Sequence, residues 1–263
     1  MPEGPEIRRA ADALNRAVAG RPLTEAWFAF PHLQAFRPRL LGAEVMRIEP
    51  RGKALLTHFS SGLTLYSHNQ LYGRWRVGRP GENPLPTRTP RVRLETAETA
   101  AVLYSASDID LRPSDEIESH PFLQRIGPDV LDERLTPEIV VARLREARFA
   151  RRRLGALLLD QAFLAGLGNY LRAEILWQAR LNPDLRPVDL SPEALAVLGE
   201  AMLDVPRRSY TTREAAGSGA YHEAVFRFHV FQQDGKPCSR CGTTVQKAPC
   251  ASRPLYFCPV CQA

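Results

Sequence analysis

Lysine is nearly missing from this chain: of 35 basic residues only Lys53, Lys236 and Lys247 are lysine, so arginine outnumbers it 32 to 3. Lys53 thereby stands alone in the first 235 residues, either as a selected amine or as an incidental surface charge in an arginine-rich composition. No apolar run approaches the ~18 residues of a membrane-spanning helix, and the N-terminal stretch carries acids and arginines around no apolar core. Neither a membrane span nor a secretory signal is expected, and the cytoplasm is the expected compartment. Cysteine is scarce, five in 263 residues, which argues against a disulfide scaffold. Acids are outnumbered 29 to 35, and the resulting charge of +6 with a pI near 9.3 favours a polyanionic partner, nucleic acid ahead of a membrane surface. What is present in normal measure, 44% hydrophobic and 24% charged residues, describes a globular chain long enough for one large or two modest domains.

The N-terminus reads Met1-Pro2-Glu3-Gly4-Pro5-Glu6. Removal of Met1 would leave Pro2 with a secondary amine, and α-amino groups titrate near ~8 against roughly 10.4 for lysine, so a useful fraction is neutral at cellular pH. Such an amine attacks a sugar or carbonyl carbon to form an iminium, and Glu3 with Glu6, three residues apart on one helical face, can serve the proton transfers. The same residues are also ordinary chemistry for a helix start, proline and acids in the first turn. Taken alone, that second reading leads.

Apolar Ile7, Ala10, Ala11, Leu14, Ala17 and Val18 recur at helical spacing, and Gly20 with Arg21-Pro22 supplies the stop. From Leu23 to Ser105 the period changes to short runs at 23–30, 44–48, 54–59, 63–67, 75–77, 92–96 and 101–105, which predicts a sandwich or barrel, with a hairpin turn at Ser60-Ser61-Gly62 and a long loop at 78–90. Past Pro113 the pattern turns helical, and Thr136-Pro137 and Ser191-Pro192 each predict a capped helix start. The expected organisation is an α+β multidomain chain: a β-sandwich headed by an amphipathic helix over 1–126, a hinge at 127–135, a helical domain over 136–225 and a ribbon over 226–263. A loose segment is expected at Arg213–Gly219.

Cys238-x2-Cys241 and Cys258-x2-Cys261, sixteen residues apart, fit one tetrahedral zinc in a short ribbon. Four thiolates leave no open position, so the zinc is structural and Cys250 is left over as a free thiol. The ribbon carries Arg227, Lys236, Arg240, Lys247 and Arg253 against Asp234, with Arg253 where the tip would fall. A second constellation, Leu154–Leu164 then Gly166-Leu167-Gly168-Asn169 then Tyr170–Trp177, predicts two apolar helices around a glycine turn. There Asn169 and free N–H groups suit a phosphate, though a plain helical hairpin is an equal reading. The run Arg148, Arg151, Arg152, Arg153 reads as a solvated face. Third, Gln70-Leu71-Tyr72 in His68-Asn69-Gln70-Leu71-Tyr72-Gly73 could wedge into a base stack, against the commoner outcome that such residues fold into the core.

Together Pro2-Glu3-Gly4-Pro5-Glu6-Ile7, Arg51-Gly52-Lys53, the run from Leu158 to Arg172, and the four-cysteine ribbon with Ser252-Arg253-Pro254 resemble the formamidopyrimidine-DNA glycosylase and endonuclease VIII family, in order and over essentially the whole length. Gly4 and Gln70-Leu71-Tyr72 resemble the endonuclease VIII branch, which prefers oxidised pyrimidines. The resemblance implies a bifunctional glycosylase and AP lyase of base excision repair, acting on damaged double-stranded DNA as a monomer, with a helix-two-turns-helix domain and a structural zinc. It implies Pro2 as nucleophile forming a Schiff base, Glu3 as proton donor and Glu6 assisting. It further implies Lys53 and Arg253 as phosphate contacts or as proton donors in β- and δ-elimination, Asn169 on phosphate, and Gln70, Leu71 and Tyr72 filling the void left by a flipped base. Excision of oxidised purines, or a non-enzymatic zinc-ribbon DNA binder, are the alternatives.

Overall fold

A computed structural model describes residues 2–214 and 226–263. The described chain separates into two compact units, one of Glu6–Gln124 with Pro2, the other of Glu3–Pro5 with Arg125–Ala263.

In the first unit, helix α1 (Gly4–Val18) runs through the spacing read from the sequence, and Gly20, at φ +70°, ends it. Its buried stripe, Ile7, Ala11, Leu14 and Val18, enters a core shared by two four-stranded antiparallel sheets. One sheet is ordered β1 (Glu25–Phe28), β6 (Pro90–Glu95), β7 (Ala100–Tyr104), β5 (Arg74–Gly78). The other is ordered β2 (Val45–Arg51), β3 (Ala54–Phe59), β4 (Leu63–His68), β8 (Asp108–Pro113). The inward rows of both, Phe28, Val92 and Leu103 against Leu55, Leu65 and Leu111, fall in that one core. This is the expected β-sandwich, and each such buried side chain contributes roughly 1.5–3 kcal/mol. Strand β4 is buried on both faces, because Tyr66 on its outer side stacks on His120 at 3.9 Å from the segment that follows β8. The sequence reading overlooks β8, whose Asp108-Ile109-Asp110-Leu111 is too acidic to stand out as a strand. It also misses two single-turn helices, α2 (Pro31–Gln34) and α3 (Arg37–Leu40).

The second unit packs α4 (Pro137–Leu144), α7 (Asn169–Ala179) and α8 (Pro192–Glu214) with the hairpin β9 (Gln246–Cys250) and β10 (Arg253–Phe257) around one core. Both predicted caps form: Thr136 Oγ1 accepts from Ile139 N at 3.4 Å, and Ser191 Oγ from Ala194 N at 3.2 Å. The first helix expected at Leu154–Leu164 does not extend. Beyond the short helix α5 (Ala147–Ala150) it is a single turn, α6 (Leu154–Leu157), followed by tight turns. The carbonyls of Ala162 and Phe163 are taken by the Arg143 guanidinium, both at 2.6 Å, while Asp160 Oδ1 accepts from Ala162 N at 2.8 Å. The Asp160 bond takes an N–H that the helical ladder would need, and the Arg143 bonds hold the turn that replaces the helix. Helix α8 continues through Arg213 and Glu214, where a loose segment was expected; the remainder of that segment lies outside the described residues. Among the described residues no helix is long and apolar enough to cross a membrane.

Candidate functional site

The second unit builds a site on the start of α7. A helix leaves its first N–H groups without intrahelical partners, and here Tyr170 N and Leu171 N donate to the Glu3 carboxylate at 2.9 and 3.2 Å. Glu3 precedes α1, is 4% exposed, and puts its negative charge at the positive end of α7. The glycines that looked like a mere turn make this approach sterically feasible. A Cβ on Gly168 would lie 2.3 Å from Glu3 Cδ, and Gly4 N donates to Gly166 O at 2.8 Å with Gly166 at φ +100°.

Asn169, the first residue of α7, is not aimed at solvent alone. Its Nδ2 donates to Pro254 O at 3.0 Å and its Oδ1 accepts from Arg172 Nη2 at 2.6 Å. Arg172, which sequence reasoning passed over inside an apolar helix, is completely buried and gathers the ribbon tip. Its Nη1 donates to Gly155 O at 2.8 Å and Cys250 O at 3.3 Å, its Nη2 to Arg253 O at 3.3 Å and Pro254 O at 3.1 Å. Burial lowers the Arg172 pKa, and the opposing pull comes from Cys250 and Glu3. Arg253 opens β10 directly after a turn with Ala251 at φ +53°, opposite Cys250, so it stands at the tip as expected. Cys250 packs on Gly155, whose Cβ would meet its Sγ at 2.6 Å. That contact explains both the spare thiol and the glycine.

Glu174, one helical turn further along α7, is nearly inaccessible and accepts from the backbone N–H groups of His229, Val230 and Phe231. Burial raises its pKa while those donors oppose the rise. The ribbon beyond brings the Sγ atoms of Cys238, Cys241, Cys258 and Cys261 within 4.8 Å of one another. Cys241 and Cys258 are 3.5 Å apart and Cys238 and Cys261 4.0 Å, against the ~3.8 Å edge of a tetrahedron with 2.3 Å metal–sulfur bonds. Trp177 Nε1 donates to Cys238 Sγ at 3.4 Å, and although burial opposes it, this bond and neighbouring backbone N–H groups bring that thiol's pKa down. The residues present fit a metal ion.

In the first unit, Gly52 and Lys53 form the two-residue turn between β2 and β3, with Gly52 at φ +64°. Lys53 is 9% exposed. Its charge acts on His68, whose pKa is lowered first by burial, with Asp108 opposing and Lys53 reinforcing. His68 Nδ1 accepts from Gln70 N at 3.0 Å and so anchors the loop that follows. Gln70, at φ +50°, accepts from Ser107 Oγ at 2.9 Å. Leu71 and Tyr72 are 54% and 68% exposed, so they project from the loop and do not fold into the core. Asn69 behind them is 2% exposed, and its side-chain amide has no hydrogen-bond partner among the described residues. Glu6 is buried and accepts from Arg9 Nη2 at 2.8 Å, and Pro2 is half-buried.

The chain matches the family model of the formamidopyrimidine-DNA glycosylase N-terminal domain over residues 1–108 and that of the formamidopyrimidine-DNA glycosylase H2TH domain over residues 126–217. It is 58% identical to endonuclease 8 of Escherichia coli and 60% identical to endonuclease 8 of Salmonella schwarzengrund, with all of each chain covered. Among solved structures it is similar to Lactococcus lactis Fpg in a complex with DNA containing N7-benzyl-Fapy-dG, at a TM-score of 0.86 and 23% identity over 99% of both chains, a likeness of fold. Likeness of that extent, carried end to end at more than half of all positions, makes the protein a member of the family that unites the formamidopyrimidine-DNA glycosylases with endonuclease 8.

Proposed function

We propose that the protein repairs oxidised DNA as a DNA glycosylase with AP-lyase activity in base excision repair, with oxidised pyrimidines as its substrates. The observation that carries the catalytic assignment is Glu3: a buried carboxylate fixed on two N–H groups, one residue from an amino-terminal proline. In this reading Met1 is removed and duplex DNA is bound through phosphates, contacts that position without reading sequence. Lys53, Asn169 and Arg253 make those contacts. The damaged nucleotide is flipped out at a cost of roughly a few kcal/mol, smallest for weakly stacked lesions. Gln70, Leu71 and Tyr72 occupy the void.

Glu3, or a water it orients, protonates the sugar ring oxygen while the Pro2 amine attacks C1′ and the base departs, leaving an iminium. Glu6 assists. Electron withdrawal by the iminium acidifies C2′, and β- then δ-elimination cut the strand on both sides of the lost sugar, with Lys53 and Arg253 as further proton donors. The four cysteines would hold one structural Zn2+, which supplies a cross-link between the two ends of the ribbon. The protein acts as a monomer in the cytoplasm, on the nucleoid.

Borohydride trapping on a duplex containing thymine glycol tests this. The adduct is expected on Pro2, with mass spectrometry showing Met1 removed. Full trapping by a chain with a blocked amino terminus, together with its loss in Lys53→Ala, would transfer the nucleophile to Lys53. Faster excision of 8-oxoguanine opposite cytosine than of thymine glycol would reassign the substrate to oxidised purines.

A further inference from the structure

Beside the loop that carries Leu71 and Tyr72, the first unit has an open cleft of about 510 Å3 lined by Tyr72, Thr87, Arg88, Thr89, Arg91 and Ser105. No residue assigned above other than Tyr72 faces it. The lining holds two guanidinium groups, three hydroxyls and one phenol ring, with no carboxylate. Among the described residues neither Arg88 nor Arg91 is ion-paired, so both charges stand ready for an anion from outside the chain.

The backbone is shaped around this cleft. Strand β6 shifts register between Pro90 and Val92, a bulge that re-aims Arg91, and its guanidinium comes to lie 5.5 Å over the Phe30 ring. Arg91 Nε is shielded from solvent with no hydrogen-bond partner among the described residues, an unmet donor of the kind a bound acceptor would satisfy. Ser105 directly follows β7 at φ +55°, a sparsely populated conformation for serine, and its N–H donates to Thr89 O at 2.9 Å. Arg88 Nη1 donates to Tyr72 O at 2.8 Å, so the cleft and the projecting loop are mechanically one piece.

We propose that this cleft is a second nucleic-acid subsite, in which Arg91 and Arg88 take a phosphodiester of the strand opposite the damaged one. The inference rests on the proposed function. If Tyr72 fills the gap beside the flipped nucleotide, the backbone next along from its ring belongs to the nucleotide that has lost its partner. Planar guanidiniums and hydroxyls match phosphate oxygens, and the exposed Tyr72 ring offers a stacking face to the neighbouring base. The volume is within the ~300–1,000 Å3 range of ligand clefts.

The test uses the full chain and a duplex bearing a non-cleavable tetrahydrofuran abasic analogue, with one neutral methylphosphonate walked along each strand in turn. For the wild type, one position in the opposite strand is expected to lower affinity roughly tenfold and to flatten the salt slope by about 1. Arg91→Gln should show the same two losses on the all-phosphate duplex and no further loss at that position, while Arg91→Lys restores most of the affinity. Arg88→Gln gives a second coupling at the same or the adjacent phosphate. Additive losses in Arg91→Gln, or a coupled phosphate in the damaged strand, would overturn the proposal, as would an Arg91→Gln protein that binds like the wild type. Trapping at Pro2 on thymine glycol duplex is measured in parallel. Trapping without coupling removes this subsite alone, whereas a wild type that fails to trap at Pro2 removes the function on which it rests.

Discussion

At Gly168 the absence of one methyl group decides where Glu3 lies. An alanine Cβ there would fall 2.3 Å from the carboxyl carbon and 2.5 Å from its oxygen, distances that only a displaced Glu3 could relieve. Glycine is kept for contact here, since Gly168 has φ −143° and needs no left-handed freedom. Gly168→Ala is therefore expected to slow base excision by at least ~100-fold, within the range for loss of a positioned general acid, while the protein still folds. Single-turnover kinetics beside a melting curve check this, and excision at the wild-type rate would mean that the Glu3 position is irrelevant to chemistry. Arg172 works at the same scale, because one buried guanidinium holds the Asn169 side chain and the carbonyls on both sides of the ribbon tip. From sequence the Pro2-Glu3 pair reads either as chemistry or as an ordinary helix start, and the groups that hold Glu3 are not legible at all. Nothing in Gly168 or Tyr170 names a carboxylate more than 160 positions away.

Among the elements, the β2–β3 pair carries the clearest titration. The Glu49 carboxyl is held down at about 2, chiefly by its hydrogen bond with His58 at 3.2 Å and then by the charge of Arg47, both against the effect of burial. The folded value lies below the ordinary 4.5, so the stabilisation is fully present above about pH 4.5 and is lost as pH falls from there through about 2. Melting temperatures taken across that window should drop more steeply for the wild type than for Glu49→Gln, the two curves converging at the acid end. Parallel curves would exclude the pair as an acid-sensitive contact. The elements themselves were largely readable, because period, caps and turn residues are local signals: Ile7 to Val18 as a stripe, Thr136-Pro137 as a start, Gly62 at φ +75° as a hairpin turn. The helix expected at Leu154–Leu164 was not, since Asp160 Oδ1 takes the Ala162 N–H that its ladder would have used and Arg143 from α4 holds the carbonyls of Ala162 and Phe163 in the turn instead.

For the whole molecule, the net charge of +6 predicts salt-sensitive association with DNA, and the ribbon predicts a dependence on metal. A structural zinc bound by four thiolates contributes directly to folding, so stripping it with a chelator should release one equivalent per chain and unprotect the amides of 236–263 to hydrogen exchange. Affinity for the abasic-analogue duplex should fall at least ~10-fold with a shallower salt slope as Arg253 loses its fixed position. Undiminished affinity after metal loss would detach Arg253 from the binding surface. Charge balance, the cysteine spacing, the period of each segment and a proline beside acids at Pro2-Glu3 are written along the chain and need no fold to be read. The seating of Glu3 on α7, the burial of Arg172 under the ribbon tip, the packing of Cys250 on Gly155 and the cleft beside Tyr72 belong to the tertiary structure alone. Each depends on residues far apart in sequence meeting at van der Waals distance, and a local pattern specifies which face a residue presents without specifying what it will touch.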